Sequence, residues 1–221
     1  MAKFEYVYPQ DATKLISTAD LALVADGLRQ GSLAILPTET GYLLAALATS
    51  IPAVERAFRV KRRNFANVMH VACSSLSMAA RAGRITPPAS RLLGRFTPGP
   101  VSVIVEKTEL LPDRLVTLNN TVGLRIPDYP ATLQVISELG SPVTATSLNE
   151  SGSAPGALDS FDLDSLDWSS ADVVFVVPDD AAIRYPAAST LVRVTGDEVE
   201  MLREGPVTHA EIRRVAGRGA S

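Results

Sequence analysis

The sequence predicts an α/β fold: a single domain built on a twisted sheet of mixed parallel and antiparallel strands with flanking helices. Three observations carry this reading. The opening reads strand–helix–strand: residues 4–8 alternate apolar and polar side chains, residues 20–30 place Leu21, Leu23, Val24 and Leu28 at helical spacing, and Leu33-Ala34-Ile35-Leu36 is an uninterrupted apolar run. Val173-Val174-Phe175-Val176-Val177 is a second such run, rich in valine, as strands buried on both faces are. The chain has 221 residues and 46% hydrophobic content, enough for one core within the usual domain range of about 50–250 residues.

The remaining elements come in order along the chain. Gly31 closes the first helix. Pro37, which has no N–H, is expected to stop the strand 33–36. Residues 51–58 form a helix with Pro52 near its start, so Arg59-Val60-Lys61-Arg62-Arg63 lies at the C-terminal end, where the dipole favours cations. A strand is expected over 68–73, then helices over 76–82 and 89–96 separated by Thr86-Pro87-Pro88. Thr97-Pro98-Gly99-Pro100 makes a rigid corner into the strand 101–105. Residues 121–127 read as a strand ended by proline, 132–139 as a helix before Gly140, and 143–147 as a strand entering the turn 148–152. Residues 151–170, rich in Ser, Asp, Gly and Pro, read as a long surface loop. Strands over 191–194 and 199–202 and a helix over 208–215 complete a single domain spanning 1–215, with 216–221 as a flexible tail.

Composition excludes several classes. A net charge of −3 argues against a protein whose main work is gripping nucleic acid through its phosphates, although a local basic groove remains compatible. Cys73 is the only cysteine, so no internal disulfide and no cysteine-based zinc site can form. No apolar stretch has the length of a signal core or a membrane span, and the expectation is a cytoplasmic protein with no membrane partner. There is no Gly-Lys-Ser/Thr phosphate loop, no Gly-x-Gly-x-x-Gly after a strand and no Gly-x-Ser-x-Gly elbow. His70 and His209 are the only histidines.

Candidate site residues share one trait: small polar or basic groups at strand ends, where open α/β sheets bind ligands. They are Thr38 and Thr40, Lys61 and Arg63, Thr121 and Arg125, Ser147 and Asn149, Ser189 and Thr190, and Arg203. Guanidinium forks with nearby hydroxyls and amides suit the phosphates of a nucleotide. Each has a plainer reading. The threonines can cap the next segment, Arg59 to Arg63 can be a solvated helix end, and Ser147 with Asn149 can make a local turn. Arg125 interrupts Val122, Leu124 and Ile126, so it either points out of the sheet or reaches into a polar site. His70 reads as a satisfied core histidine and Cys73 as a small buried hydrophobe.

In order along the chain, Pro37-Thr38-Glu39-Thr40-Gly41-Tyr42, Lys61-Arg62-Arg63, Thr97-Pro98-Gly99-Pro100, Thr121-Val122-Gly123-Leu124-Arg125-Ile126-Pro127, Ala145-Thr146-Ser147-Leu148-Asn149-Glu150-Ser151-Gly152, Ser189-Thr190-Leu191-Val192 and Leu202-Arg203-Glu204-Gly205 resemble the YrdC-type family of threonylcarbamoyl-AMP synthases. The resemblance implies a twisted α/β sheet with a central basic cavity. It implies an enzyme that joins L-threonine, bicarbonate and ATP, as its Mg²⁺ complex, into threonylcarbamoyl-AMP with release of pyrophosphate, for modification of a tRNA adenosine. Lys61 and Arg63 would be catalytic. Arg63, Asn67, Thr121, Ser147, Asn149 and Arg203 would hold ATP, and Thr40, Arg125, Ala145 and Ser189 would hold threonine. No residue is assigned to a protein-held metal. Contact with RNA through the basic cavity, and tRNA-modification partner proteins, are implied in the same way.

The sequence departs from the family pattern at Leu43 and Ala45, which replace glycines, and at Asn64, Val68 and Met69. A histidine of the family aligns with Ala72, and His70 lies two residues before it. Gly41 before Tyr42, Thr146-Ser147-Leu148 and the opening Phe4-Glu5-Tyr6-Val7-Tyr8-Pro9 are similar to the paralogous YciO branch. The alternative function is therefore a nucleotide- or RNA-binding protein of the same fold without threonine-dependent synthesis.

Overall fold

The computed structural model describes residues 2–65, 67–148, 158, 163, 166–185 and 187–217. The elements are β1 (Lys3–Tyr6), α1 (Thr18–Arg29), β2 (Leu33–Thr38), β3 (Gly41–Ala45), α2 (Ile51–Val60), β4 (Val71–Ala72), α3 (Leu76–Ala82), α4 (Pro87–Phe96), β5 (Val101–Glu106), β6 (Thr121–Arg125), α5 (Pro130–Leu139), β7 (Val143–Thr144), β8 (Thr146–Ser147), β9 (Val173–Val176), β10 (Thr190–Thr195), β11 (Glu198–Arg203) and α6 (His209–Ala216). Their strands divide into two mixed sheets, in the orders β1-β9-β2-β3-β8 and β11-β10-β5-β6-β4-β7. The helices cover apolar sheet faces, and one continuous core includes Leu28, Ile35, Phe58, Leu93, Leu124 and Ile136. No helix among the described residues is long and apolar enough to cross a membrane.

At three places the strands differ from the expectation, and each difference bears on the cavity between the sheets. Pro37 does not end β2. The parallel pairing of β2 with β9 stops at Ile35, but the antiparallel pairing with β3 runs on through Pro37 opposite Tyr42 and Thr38 opposite Gly41. The carbonyl of Pro37 accepts from Thr132 Oγ1 at 2.6 Å. The polar edge of this residue thus faces away from β3, where a missing N–H costs the ladder nothing. Next, the expected strand 143–147 is broken: β7 pairs with β4 in one sheet, β8 pairs with β3 in the other, and Ala145 carries the chain across. The expected strand 68–73 shrinks to Val71–Ala72 for a related reason, since Met69 and Ala145 take loop hydrogen bonds, Met69 N to Leu115 O and Ala145 N to His70 O. The region 151–170 is not wholly superficial, because the described Leu158 and Trp168 are buried and Trp168 packs edge-on against Phe4.

Helix ends obey ordinary capping chemistry. Thr86-Pro87-Pro88 is the start of α4 rather than a break before it, with proline at the positions where the N–H would go unused. Thr208 and Glu211 form a reciprocal capping box at α6. Thr208→Ala is expected to lower stability by about 1 kcal/mol, read from denaturant midpoints at constant slope.

Candidate functional site

The β2–β3 hairpin is the centre of the site. Its turn is Glu39-Thr40, closed by Gly41 at φ 112°, a conformation that favours glycine. Thr38 Oγ1 donates to Gly41 O at 2.6 Å and accepts from Thr40 N, so the two threonine side chains are fixed on the same corner. Burial and a bond to Asp180 raise Tyr42 above the usual phenol range, so its hydroxyl stays protonated and anchors the hairpin to residues 179–180.

The corner opens into a cavity of about 190 Å³ whose walls come from both sheets. The first sheet contributes Thr38, Thr40, Tyr42 and Ser147, and the second contributes Ser102, Arg125 and Arg203. The crossing residue Ala145 also lines it, as do Arg63, His70 and Ser189 from connecting segments and Leu43 of β3. Arg63 reaches the cavity because Arg62, at φ 47°, ends α2 in a left-handed turn while Arg63 N bonds back to Phe58 O.

Three guanidinium groups face this space and differ in their partners. Arg125 Nη2 donates to Glu39 Oε1 at 2.8 Å and to Thr40 Oγ1 at 2.6 Å, while its buried Nε has no hydrogen-bond partner. Arg63 donates to the carbonyls of Asn67 and Val68, and Arg203 to the carbonyl of Ser189, with no carboxylate within ion-pair distance of either among the described residues. Burial lowers the pKa of both, the direction expected of cations withdrawn from water. Ser189 Oγ lies 3.0 Å from Ser102 Oγ, extending the polar wall beside Arg203.

His70 corrects the reading of a satisfied core histidine: it lines the cavity, and a Cβ at Gly123 would lie 2.6 Å from its ring. Burial first, then Arg203, Arg63 and Arg125, press its pKa from 6.5 down to about 4. The unfolded chain therefore binds a proton near pH 6.5 that the folded chain takes only near 4, and stability is lost as pH falls through that window. Relative to His70→Gln, the wild type is expected to lose on the order of 2 kcal/mol between pH 7 and pH 4, read by parallel denaturation curves.

The structure brings together Thr38, Thr40, Arg63, Arg125, Ala145, Ser147, Ser189 and Arg203 from the sequence candidates. Lys61 stands just outside the lining, its Nζ donating to Leu148 O at 2.9 Å. Asn67 is exposed and meets Arg63 only through its backbone carbonyl. Thr121 is not part of the cavity: it starts β6, about 13 Å along the strand from Arg125, and its hydroxyl closes its own turn onto Leu118 O. Thr190 is a structural latch, fully buried, donating to Val207 O and accepting from Gly205 N and Val207 N. Asn149 lies outside the described residues. Sequence reasoning misses Ser102, whose signal is a lone hydroxyl within Val101-Ser102-Val103-Ile104-Val105, and Glu39, a fully buried carboxylate in the motif itself. Among the described residues no cluster of three or more His, Cys, Asp or Glu could hold a metal ion.

Comparison with known proteins agrees with this architecture. The family model Sua5_yciO_yrdC, described as telomere recombination, matches residues 26–205. Threonylcarbamoyl-AMP synthase of Bacillus subtilis is 31% identical over 211 residues, covering 94% of this chain and 60% of that protein. A crystal structure of Pyrococcus abyssi Sua5 complexed with L-threonine superposes with a TM-score of 0.83 at 26% identity, over 99% of this chain and 62% of that one. This chain thus spans about three-fifths of both of those longer proteins. The crystal structure of Escherichia coli YciO has the same fold, with a TM-score of 0.81 at 24% identity over 96% of this chain and 100% of that one. The hairpin motif and the cavity wall fall inside the matched segment, and the chain belongs to the Sua5/YciO/YrdC family.

Proposed function

We propose that this protein is an L-threonylcarbamoyladenylate synthase, of the nucleotidyltransferase type, acting on L-threonine, bicarbonate and ATP. One observation carries the reading: a single cavity holds an arginine paired with a buried carboxylate beside two guanidiniums that, among the described residues, have no carboxylate partner. The Arg125 guanidinium and the Thr40 hydroxyl suit an amino-acid carboxylate, and Arg63 and Arg203 suit polyphosphate oxygens. The Bacillus subtilis relative's name and the threonine bound in the Pyrococcus abyssi structure support the same substrates.

The chemistry asks little of a nucleophile on the protein. The neutral threonine amine bonds to the carbon of bicarbonate-derived CO₂, giving a carbamate. A carbamate oxygen then bonds to the α-phosphorus of ATP as the bond to the β-phosphate oxygen breaks. The sum is threonine, bicarbonate and ATP to threonylcarbamoyl-AMP, pyrophosphate and water. Two anions must meet, so charge stabilisation by Arg63 and Arg203 and shared orientation are the contributions expected of the site. Lys61, in this reading, holds residue 148 against the cavity and adds positive charge at its edge. In this reading Mg²⁺ enters as part of the nucleotide substrate. Transfer of the product to tRNA by partner proteins, in the cytoplasm, belongs to the same proposal.

The test is pyrophosphate release from ATP and bicarbonate with and without L-threonine, with mass spectrometry for the adenylate. Threonine-dependent release with the adenylate present is the expected result. ATP binding with no threonine-dependent release assigns the protein to the nucleotide-binding alternative.

A further inference from the structure

The cavity contains two kinds of arginine, and the difference lies in Glu39. Its side chain is 0% exposed, with Oε1 on Arg125 Nη2 and Oε2 accepting from Asp128 N, each at 2.8 Å. Its backbone carbonyl accepts from Arg184 N and Tyr185 N at 3.0 and 2.9 Å. Glu39 is therefore tied by its carboxylate to residues 125 and 128 and by its backbone to residues 184 and 185, and it neither lines the cavity nor moves freely. Arg63 and Arg203 have no such partner among the described residues.

We propose that Glu39 is a specificity-determining and positioning residue: by pairing with Arg125 it makes that binding position electrically neutral, so that it accepts a zwitterion and rejects simple anions. This rests on the reading of Arg125 as the amino-acid carboxylate site. A lone buried guanidinium attracts any anion, including phosphates, which the uncompensated Arg63 and Arg203 are free to hold. The Arg125–Glu39 pair keeps a guanidinium on the cavity wall yet carries no net charge, and a buried carboxylate acts through a low dielectric on an ammonium group nearby. An amino acid presents both charges at once. One cavity can thus sort a zwitterion and a polyanion without a wall between them.

The test compares L-threonine with 3-hydroxybutyrate, which is threonine without its amine, by calorimetric titration into the wild type and Glu39→Gln. The wild type is expected to prefer threonine. Glu39→Gln is expected to bind threonine about 10-fold more weakly and to shrink its preference over 3-hydroxybutyrate by a similar factor, a loss of about 1.4 kcal/mol in discrimination. An unchanged preference ratio in a folded Glu39→Gln overturns the proposal, whereas a purely structural role would weaken both ligands equally. Inorganic phosphate supplies a readout that needs no variant: in the wild type it should compete with ATP and not with threonine. Phosphate displacing threonine from the wild type overturns the inference even where Glu39→Gln does not fold. Failure of the wild type to bind threonine at all overturns the synthase reading instead, and phosphate that stabilises Glu39→Gln more than the wild type against heat still registers the charge compensation.

Discussion

Arg125→Lys is expected to raise the KM for L-threonine about 100-fold while leaving the affinity for ATP nearly unchanged. Lysine keeps a cation beside Glu39, so the buried ion pair survives in weakened form, and what is lost is the fork of directional donors, including the buried Nε. Charge-assisted hydrogen bonds contribute about 1.5–3 kcal/mol each, and losing the equivalent of about 2.7 kcal/mol corresponds to that factor. Alanine is the poorer choice, since stranding one member of a buried pair costs about 3–5 kcal/mol and mixes folding with binding. Steady-state pyrophosphate release against threonine concentration measures the effect, and a KM equal to that of the wild type rules out Arg125 as the carboxylate partner.

Gly205→Ala is expected to lower the melting temperature by about 5–10 °C and to weaken both substrates in the fraction that remains folded. A Cβ there would sit 2.4 Å from Ala188 O, 2.6 Å from Thr190 N and 2.9 Å from the carbonyl carbon of Ser189. All three neighbours are backbone, so no side chain can swing aside. The strain falls on the segment that carries Ser189 to Arg203 and breaks the bond from Gly205 N to the Thr190 latch. Overpacking of this kind costs about 1–3 kcal/mol and sometimes more. Differential scanning calorimetry with and without ATP separates the two effects, and a melt within about 1 °C of the wild type refutes the packing argument.

How much of the molecule is legible in its sequence depends on physical range. The strand Leu33–Leu36, the capped helices and the valine-rich β9 are signalled within a few residues, by an apolar run or a capping group, and they lie where periodicity and turn chemistry put them. Pro37 and Ala145 escape such reasoning because their behaviour depends on which neighbour each edge faces, a property of pairing between distant segments. Arg125 stands out in sequence as an intruder in an apolar run, but only the placement of Thr38-Glu39-Thr40 across from it decides which way it points. Thr121 shows a different limit: it carries a suitable hydroxyl in a family-like motif, and only the structure shows that it begins the strand that Arg125 ends. His70 reads as a core residue because its neighbours in sequence are apolar, while in space it lines a cavity that it shares with three arginines.

The crossing at Ala145 has a consequence for biogenesis. The residues around the cavity run from Thr38 to Arg203, and they become neighbours only when both sheets have formed and the chain has passed from one to the other. Contacts of such wide sequence separation form late, after the entropy of large loops has been overcome. A nascent or partly assembled chain therefore has the Thr38–Gly41 corner but not the pocket, and it cannot enclose a ligand before it is finished. Occupancy by ligand is a certificate of complete folding, and mass action then protects only molecules that have reached it.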